Sequence, residues 1–252
     1  MRIIALVNQK GGVGKTTCTA NIGAGLALRG RKVLLVDLDP QSNLSEGLGV
    51  ETSTLKITVY DVITTGHDIH DALIHVKDNL DILPSCIDLA GAEAELISMQ
   101  GRESRLKAAL QQVRGYDYII IDAPPSLGQL TLNAMYAAQE IFIPAQVQFY
   151  ALKGMAKLMS TIAEVQKWGN KHLFIGGVIG TCFDARKNLN KEILEQLQIH
   201  FHGKVFKTLI RDYVVLAEAP VAGQDIFAYD DKSRGALDYA ALCEEIIAME
   251  EK

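Results

Sequence analysis

The sequence predicts an α/β protein with a doubly wound, mostly parallel sheet that carries helices on both faces. Short apolar runs alternate with helical patterns from end to end, as expected where each strand is buried beneath helices. A glycine-rich turn joins the first apolar run to the first helical pattern. The chain shows no repeat and no linker-like stretch, so residues 1–252 are predicted to form a single domain.

Six apolar runs are predicted to be strands, at residues 3–7, 33–37, 80–83, 118–122, 141–144 and 174–181. The predicted helices between them include residues 16–29, 127–138, 154–168 and 190–201. The single tryptophan, Trp168, is interpreted as a packing residue at a helix end. His67, His70 and His75 occupy a polar connector at spacings that suit no metal site, so we expect them at the surface.

Composition and charge exclude several classes of protein. The 252 residues are 48% hydrophobic, which allows a substantial core, and a net charge of −5 argues against a generally basic nucleic-acid coat. Cys18, Cys86, Cys182 and Cys243 form no Cys-x-x-Cys pair, which fits reduced cytosolic thiols. The sequence has no apolar run of transmembrane length, and its C-terminal stretch, residues 235–252, is acidic. We therefore expect a cytoplasmic protein that is not anchored to a membrane.

The most specific motif is Gln-Lys-Gly-Gly-Val-Gly-Lys-Thr-Thr at residues 9–17. A glycine-rich turn points backbone N–H groups into one cavity, and the following helix N-terminus adds a partial positive charge. Lys15 can reach the β- and γ-phosphates of a nucleotide, and the Thr16 hydroxyl can ligate Mg²⁺. The motif predicts a P-loop NTPase fold, although Gln9 stands where the strict pattern has glycine. The predicted nucleotide-binding residues are Lys10, Gly11, Gly12, Val13, Gly14, Lys15, Thr16 and Thr17.

A first carboxylate site follows the second predicted strand. Asp37 and Asp39 come at the carboxyl end of that strand, where open α/β sheets bind ligands. Asp39 precedes Pro40, so it is unlikely to be helical and should lie at the mouth of the crevice. It could position the attacking water for γ-phosphate hydrolysis, or it could simply shape a turn. The sequence leaves both interpretations open.

A second carboxylate site follows the fourth predicted strand. Asp122 ends the run Ile-Ile-Ile-Asp, the Walker B pattern in which a carboxylate holds Mg²⁺ through its water shell. A P-loop that binds Mg²⁺–nucleotide needs such a partner. Pro124 and Pro125 stiffen the next loop, which we interpret as a switch that senses the γ-phosphate.

With these sites in place, the chain resembles the ParA/Soj family of partition ATPases, in the deviant Walker A group of P-loop proteins. The motifs that carry the resemblance are residues 10–17, 37–41, 87–93, 122–126, 183–186 and 218–220. The resemblance implies ATP and Mg²⁺ as cofactors. It also implies a homodimer in which two subunits sandwich two ATP molecules.

The resemblance further implies roles for individual residues. Lys10 reaches across to the partner's nucleotide and stabilises charge on the transferring phosphoryl group, whereas Lys15 binds phosphates in its own subunit. Thr16 and Asp122 hold the metal, and Asp39 orients the water. Lys10, Lys15 and Asp39 are therefore the expected catalytic residues. Hydrolysis is expected to be slow and to be stimulated by a ParB-like activator protein.

In similar proteins the ATP dimer binds non-specific double-stranded DNA, associates with the nucleoid, and segregates or positions a cargo. The expected DNA-binding residues are Arg186, Lys187, Lys191 and Arg211. Two nearby positions depart from the family pattern, because Asp212 is acidic and Val215 stands where many members have arginine. The loop at residues 210–220 borders the adenine in relatives.

Two alternative functions remain open at this point. A MinD-like positioning ATPase shares the P-loop chemistry but needs a basic, apolar C-terminal helix, which this acidic stretch does not resemble. A nucleotide-gated adaptor for a protein cargo would not need DNA, and the valine at 215 is consistent with it. An iron–sulfur reductase would need cysteines that bridge the dimer, one of them shortly after the Walker B strand. Residues 126–133 contain no cysteine, so this function is set aside.

Overall fold

A seven-stranded sheet runs through the computed structural model of the protein, which describes residues 1–148 and 155–250. Its strands are β1 (Arg2–Leu6), β2 (Val33–Asp37), β3 (Ile74–Lys77), β4 (Leu80–Leu83), β5 (Tyr118–Asp122), β6 (Glu140–Gln146) and β7 (Phe174–Thr181). The strand order is β3-β4-β2-β5-β1-β6-β7, and only the β3–β4 pair is antiparallel. The predicted doubly wound, mostly parallel sheet is confirmed.

Helices connect these strands and cover both faces of the sheet. They are α1 (Lys15–Ala27), α2 (Asn43–Gly47), α3 (Val59–Thr64), α4 (Leu89–Ile97), α5 (Arg105–Leu110), α6 (Gln129–Ala137), α7 (Met155–Trp168), α8 (Asn188–His200), α9 (Val215–Val221), α10 (Ile226–Asp230) and α11 (Arg234–Ala248). The four helices predicted from the sequence correspond to α1, α6, α7 and α8, with ends shifted by at most two residues. Gly154, the predicted start of α7, lies outside the described residues, as does Glu251 in the acidic C-terminal stretch.

The alternation of side chains along each strand produces two hydrophobic cores, one on each face of the sheet. In β1, Ile4 and Leu6 belong to one cluster, whereas Ala5, together with Val7 just after the strand, belongs to the other. Both sets are fully buried, so a central strand reads as a continuous apolar run. Because β1 and β2 both pair in parallel with β5, the carboxyl ends of these three strands meet at one edge of the sheet.

The sequence did not predict β3, which forms the edge of the sheet. This strand is short and contains the exposed His75, so its apolar signal is weak. Asp78 and Asn79 form the turn to β4, and Asn79 has φ 61°, a left-handed conformation that asparagine tolerates. This Asp-Asn pair between two short strands was the available hairpin signal.

The exposure of the three connector histidines was predicted correctly, whereas that of Trp168 was not. His67 and His70 are exposed, like His75. The interpretation of Trp168 as a packing residue is wrong, because it is 75% exposed at the end of α7 and Lys167 Nζ lies 4.5 Å from its ring centroid. Among the described residues, no helix has both the length and the apolar character needed to cross a bilayer.

Candidate nucleotide-binding site

The P-loop connects the end of β1 to the start of α1. Gly12 and Gly14 adopt left-handed conformations, with φ 69° and 85°, which explains glycine at both positions. Gly14 immediately precedes the first residue of α1, Lys15. The first N–H groups of this helix are therefore available to an anion in the adjoining cavity.

Residues on β6 and β7 support the P-loop from the side. Gln146 Nε2 donates a hydrogen bond of 2.6 Å to the carbonyl oxygen of Gly12, and Thr181 Oγ1 donates one of 2.9 Å to that of Val13. Asn8, just after β1, donates through Nδ2 to the carbonyl oxygen of Pro144 at 2.7 Å. Sequence reasoning missed these residues, although all three lie at the carboxyl ends of predicted strands, where a ligand site was expected.

Lys15, Thr16 and Asp122 come together beneath the loop. Lys15 is only 6% exposed, and its Nζ lies 3.4 Å from the carbonyl oxygen of Lys10. The Thr16 hydroxyl donates a 2.6 Å hydrogen bond to Oδ2 of Asp122, which is fully buried at the end of β5. The register of β1 and β5 sets Leu6 beside Asp122, so the fold itself brings the two motifs into contact.

Burial shifts the pKa values of the charged groups at this site. It raises the pKa of Asp122 to about 8, and the neighbouring Asp37 carboxylate contributes in the same direction. Burial also lowers the pKa of Lys15, against the opposing effect of Asp122 and Asp39. Two buried carboxylates and one buried ammonium group thus lie close together, an arrangement suited to a ligand that carries both a cation and phosphate groups.

The donor set fits magnesium. The Thr16 hydroxyl and the Asp122 carboxylate supply hard oxygen atoms, which Mg²⁺ prefers. Within residues 1–148 and 155–250, no group of three or more His, Cys, Asp or Glu side chains could hold a metal by itself. That is compatible with Mg²⁺, which usually binds one or two protein groups and completes its shell with water and phosphate oxygens.

Asp39 lies at the wall of the same cavity and also shapes a turn. Its Oδ1 accepts a hydrogen bond from Gln41 N at 3.0 Å, and its carbonyl oxygen accepts one from Ser42 N at 2.9 Å. The residue is 9% exposed and lines the cavity together with Lys15 and Thr16. The turn-forming and ligand-facing interpretations are therefore compatible.

The cavity has a volume of about 890 Å³ and extends well beyond the P-loop. Its far end is lined by Ile210, Arg211, Tyr213, Leu216, Pro220 and Gln224. Apolar and aromatic side chains there suit a planar base, whereas the P-loop end is polar. The predicted base-side segment, residues 210–220, thus contributes to one wall of the same cavity.

Lys10 lies on the outside of the loop, in contrast to Lys15. It is exposed, and its Nζ donates to Gln146 Oε1 at 2.9 Å. Gly11 follows it, also exposed, with room for a side chain, since a Cβ atom there would lie 3.9 Å from Cβ of Pro125. Among the described residues of the subunit, nothing therefore requires glycine at residue 11.

Comparison with known proteins identifies the family. A model of the AAA domain matches residues 1–175. The sporulation initiation inhibitor protein Soj of Bacillus subtilis (strain 168) is 49% identical over 249 residues, which cover 98% of each chain. The chromosome-partitioning ATPase Soj of Treponema pallidum (strain Nichols) is 46% identical, with 98% of this chain and 97% of that protein covered. The chain belongs to the Soj/ParA family of partition ATPases.

A solved structure with bound nucleotide shares the fold of this chain. The crystal structure of cobyrinic acid a,c-diamide synthase from Mycobacterium smegmatis, with a bound ATP analogue and magnesium, superposes with a TM-score of 0.89. It is 36% identical in sequence and covers 100% of this chain and 96% of its own. The chain is a P-loop ATPase, as the sequence predicted.

One Soj/ParA motif, residues 87–93, contacts the helix that follows the Walker B loop. Both carboxylate oxygens of Glu93 cap α6, accepting hydrogen bonds from Gln129 N at 2.7 Å and Leu130 N at 3.3 Å. A Cβ atom at Gly128 would lie 2.5 Å from this carboxylate, so the close approach requires glycine. Glu93 therefore fixes the end of the loop that begins at Asp122.

The basic residues expected to bind DNA in this Soj/ParA chain differ in their surroundings. Arg186 has a 90% exposed side chain but is held by both carboxylate oxygens of Asp184, at 2.9 and 3.0 Å. Lys187 Nζ lies 3.8 Å from the same carboxylate, and Lys191 is exposed on α8.

Arg211 is placed differently from the other three. Its guanidinium group forms an ion pair with Asp238 of α11 and lies over the ring of Tyr213, and the residue lines the nucleotide cavity. Its assignment to a DNA surface remains a prediction.

Proposed function

We propose that this Soj/ParA ATPase is an ATP-gated homodimer that binds non-specific DNA in its ATP state and moves a cargo over the nucleoid in the cytoplasm. The observation that supports this most directly is the separation of the two P-loop lysines. Lys15 is buried over the phosphate site, whereas Lys10 is exposed on the outer face of the same loop. Lys10 is therefore accessible to a nucleotide bound by a second subunit, in exchange for its exposed hydrogen bond to Gln146.

The roles of the site residues follow from their positions. Lys15 and the backbone of residues 11–17 bind the phosphates, while Thr16 and Asp122 hold Mg²⁺, which neutralises charge on the β- and γ-phosphates. Asp39 orients the attacking water from the wall of the same cavity. Lys10 of the partner subunit stabilises the charge that develops on the transferring phosphoryl group.

Two further expectations belong to this proposal. Residues 1–252 act as a single domain, and a ParB-like protein with a basic segment stimulates hydrolysis. Low intrinsic turnover suits such a mechanism, because the ATP dimer must persist while it is bound to DNA.

The DNA part of the proposal rests on Arg186, Lys187 and Lys191. They follow the carboxyl end of β7 at the start of α8, where they form an exposed basic segment. The test is binding to random-sequence duplex DNA at low and moderate salt, with ATP, ADP or no nucleotide. We expect binding only with ATP, with a marked salt dependence, and its loss in Lys15→Ala and Arg186→Glu.

Matched controls sharpen this experiment. Lys32→Glu reverses the charge of an exposed lysine just before β2, at the opposite edge of the sheet, and should leave DNA binding nearly unchanged. Equal losses in Lys32→Glu and Arg186→Glu would mean that only the net charge matters. An ATP dimer that binds no DNA would contradict the proposal.

A second candidate is a nucleotide-gated adaptor for a protein cargo. The pairing of Arg186 with Asp184, and of Arg211 with Asp238, favours it, because acids within the chain already neutralise these arginines. Retention of the ATP dimer on an immobilised partner protein, without DNA, would support the adaptor.

The ion pairs made by acidic residues of α11 and of the segment after it disfavour a MinD-like membrane role. Glu244 pairs with Arg29, and Glu250 pairs with Arg31. Co-sedimentation with anionic liposomes in the presence of ATP would be the result that supports the membrane alternative.

A further inference from the structure

We propose that Ser85 and Ser45 are positioning residues for hydrolysis, because they fix the backbone of Asp39 at the cavity wall. This inference deepens the proposed function, in which Asp39 orients the attacking water. Neither serine lines the cavity, so both would act through Asp39.

The main-chain groups of Asp39 are held on both sides. Its N–H donates to Oδ1 of Asp37 at 3.1 Å. Its carbonyl oxygen accepts a hydrogen bond of 2.7 Å from Oγ of Ser85, a residue 46 positions away in the sequence, in the loop after β4.

The two anchors are themselves connected through Ser45. The Ser45 hydroxyl donates to Oδ2 of Asp37 at 2.7 Å and accepts from Ser85 N at 3.2 Å. Ser45 N donates to the same Asp37 oxygen at 3.0 Å. Asp37, Ser45, Ser85 and Asp39 therefore form a closed ring of hydrogen bonds.

Burial makes this ring unusually well defined. Asp37, Ser45 and Ser85 are all 0% exposed, so water cannot replace their partners. The Asp37 carboxylate accepts three hydrogen bonds from two residues, which offsets part of the cost of burying its charge. Each serine hydroxyl donates to a single acceptor, so the direction of the bonds is clear.

Asp39 needs such support because its segment is irregular. It lies between β2 and α2, and Ser42 in the same segment has φ 54°, a left-handed conformation. A displacement of a catalytic group by about 1 Å can cost about 100-fold in rate. The Ser85 contact is the one that reaches Asp39 from the loop after a different strand, β4.

The test compares Ser85→Ala with wild type and Asp39→Ala, all as full-length protein. Single-turnover phosphate release gives the rate of hydrolysis, a fluorescent ATP analogue gives the nucleotide affinity, and light scattering gives ATP-dependent dimerisation. We expect Ser85→Ala to lower the hydrolysis rate about ten-fold while affinity and dimerisation stay within about two-fold of wild type. In the Asp39→Ala background, Ser85→Ala should have no further effect, because both changes remove the same function.

The control is Thr64→Val, which removes a buried hydroxyl that also donates to a backbone carbonyl, that of Tyr60, but in α3. It should leave the hydrolysis rate unchanged. An unchanged rate in Ser85→Ala would overturn the inference, and so would equal losses of rate, affinity and thermal stability. Wild-type hydrolysis in Asp39→Ala would instead overturn the catalytic assignment of Asp39, and the inference with it.

Discussion

The nucleotide site and the basic segment before α8 contain similar charged side chains but hold them in different ways. At the nucleotide site, Lys15 at the start of α1 and Asp122 at the end of β5 are both buried. At the basic segment, Arg186 is exposed and its partner Asp184 lies two residues away. Hydrogen bonds from Arg186 lower the pKa of Asp184 to about 2, so this carboxylate stays charged beside the arginine.

This difference determines how much a motif reveals about function. An unpaired charge at a buried site is costly because it is removed from water. Buried charged groups therefore indicate a bound ligand or a partner within the protein. An exposed ion pair contributes little to stability and can be exchanged for another partner, so it does not by itself indicate a ligand. The five predictions below test that contrast.

The largest effect is expected at the buried lysine. Lys15→Ala should reduce hydrolysis by at least about 100-fold, because it removes the ammonium group that neutralises the phosphates. Phosphate release and binding of a fluorescent ATP analogue measure this directly. Lys32→Ala is the matched control and should behave like wild type. Normal nucleotide binding by Lys15→Ala would contradict the assignment of Lys15 to the phosphate site.

Asp39→Ala should separate binding from chemistry. We expect an ATP dimer to form while hydrolysis falls by about 100-fold or more, since the carboxylate that orients the water is lost. Light scattering and phosphate release on the same sample measure both properties. Substantial phosphate release would place the catalytic group elsewhere.

Gly11→Val should affect association alone. Within the subunit a Cβ atom at residue 11 makes only an ordinary contact, 3.9 Å from Pro125, so the variant should fold and bind ATP. At a face-to-face interface, however, the side chain would obstruct the approach of the partner. Light scattering with ATP should show a monomer, and an ATP-dependent dimer would refute this use of the P-loop surface.

A smaller effect, on DNA affinity, is expected at the exposed Arg186–Asp184 ion pair, and the two partners should change it in opposite directions. Arg186→Glu should weaken DNA binding, whereas Asp184→Asn should strengthen it by releasing Arg186 and Lys187 from their shared partner. Each phosphate contact changes the slope of log affinity against log salt by about 0.9. A salt titration measures that slope, and no change in Asp184→Asn would show that this segment does not face DNA.

The smallest effect is expected at Trp168. Because this side chain is 75% exposed, Trp168→Ala should change the free energy of unfolding by less than about 0.5 kcal/mol. Phe142→Ala is the contrasting variant, since Phe142 is fully buried against Phe206, and it should lose about 3 to 5 kcal/mol. Urea unfolding curves compare the two, and a large loss in Trp168→Ala would restore a packing role.

Much of the fold could be predicted because buried strands and helices leave patterns in short stretches of the sequence. Each of the six predicted strands is present, since a buried parallel strand is a continuous apolar run in the sequence. The edge strand β3 was missed because it is short and partly exposed, and it belongs to the sheet through its antiparallel pairing with β4. Its backbone pairing, rather than its composition, makes it a strand.

The sequence by itself predicted the candidate nucleotide site, because residues 10–17 and Asp122 form two short motifs, each following a predicted strand. Only the tertiary structure decided which side chains support that site. The contacts of Ser85 with Asp39, Glu93 with α6 and Arg211 with Asp238 join residues 27 to 46 positions apart. The spacing of residues along the chain does not reveal such pairs, because serine, glutamate and arginine also occur on solvated surfaces, and only packing shows which of them acquire a partner.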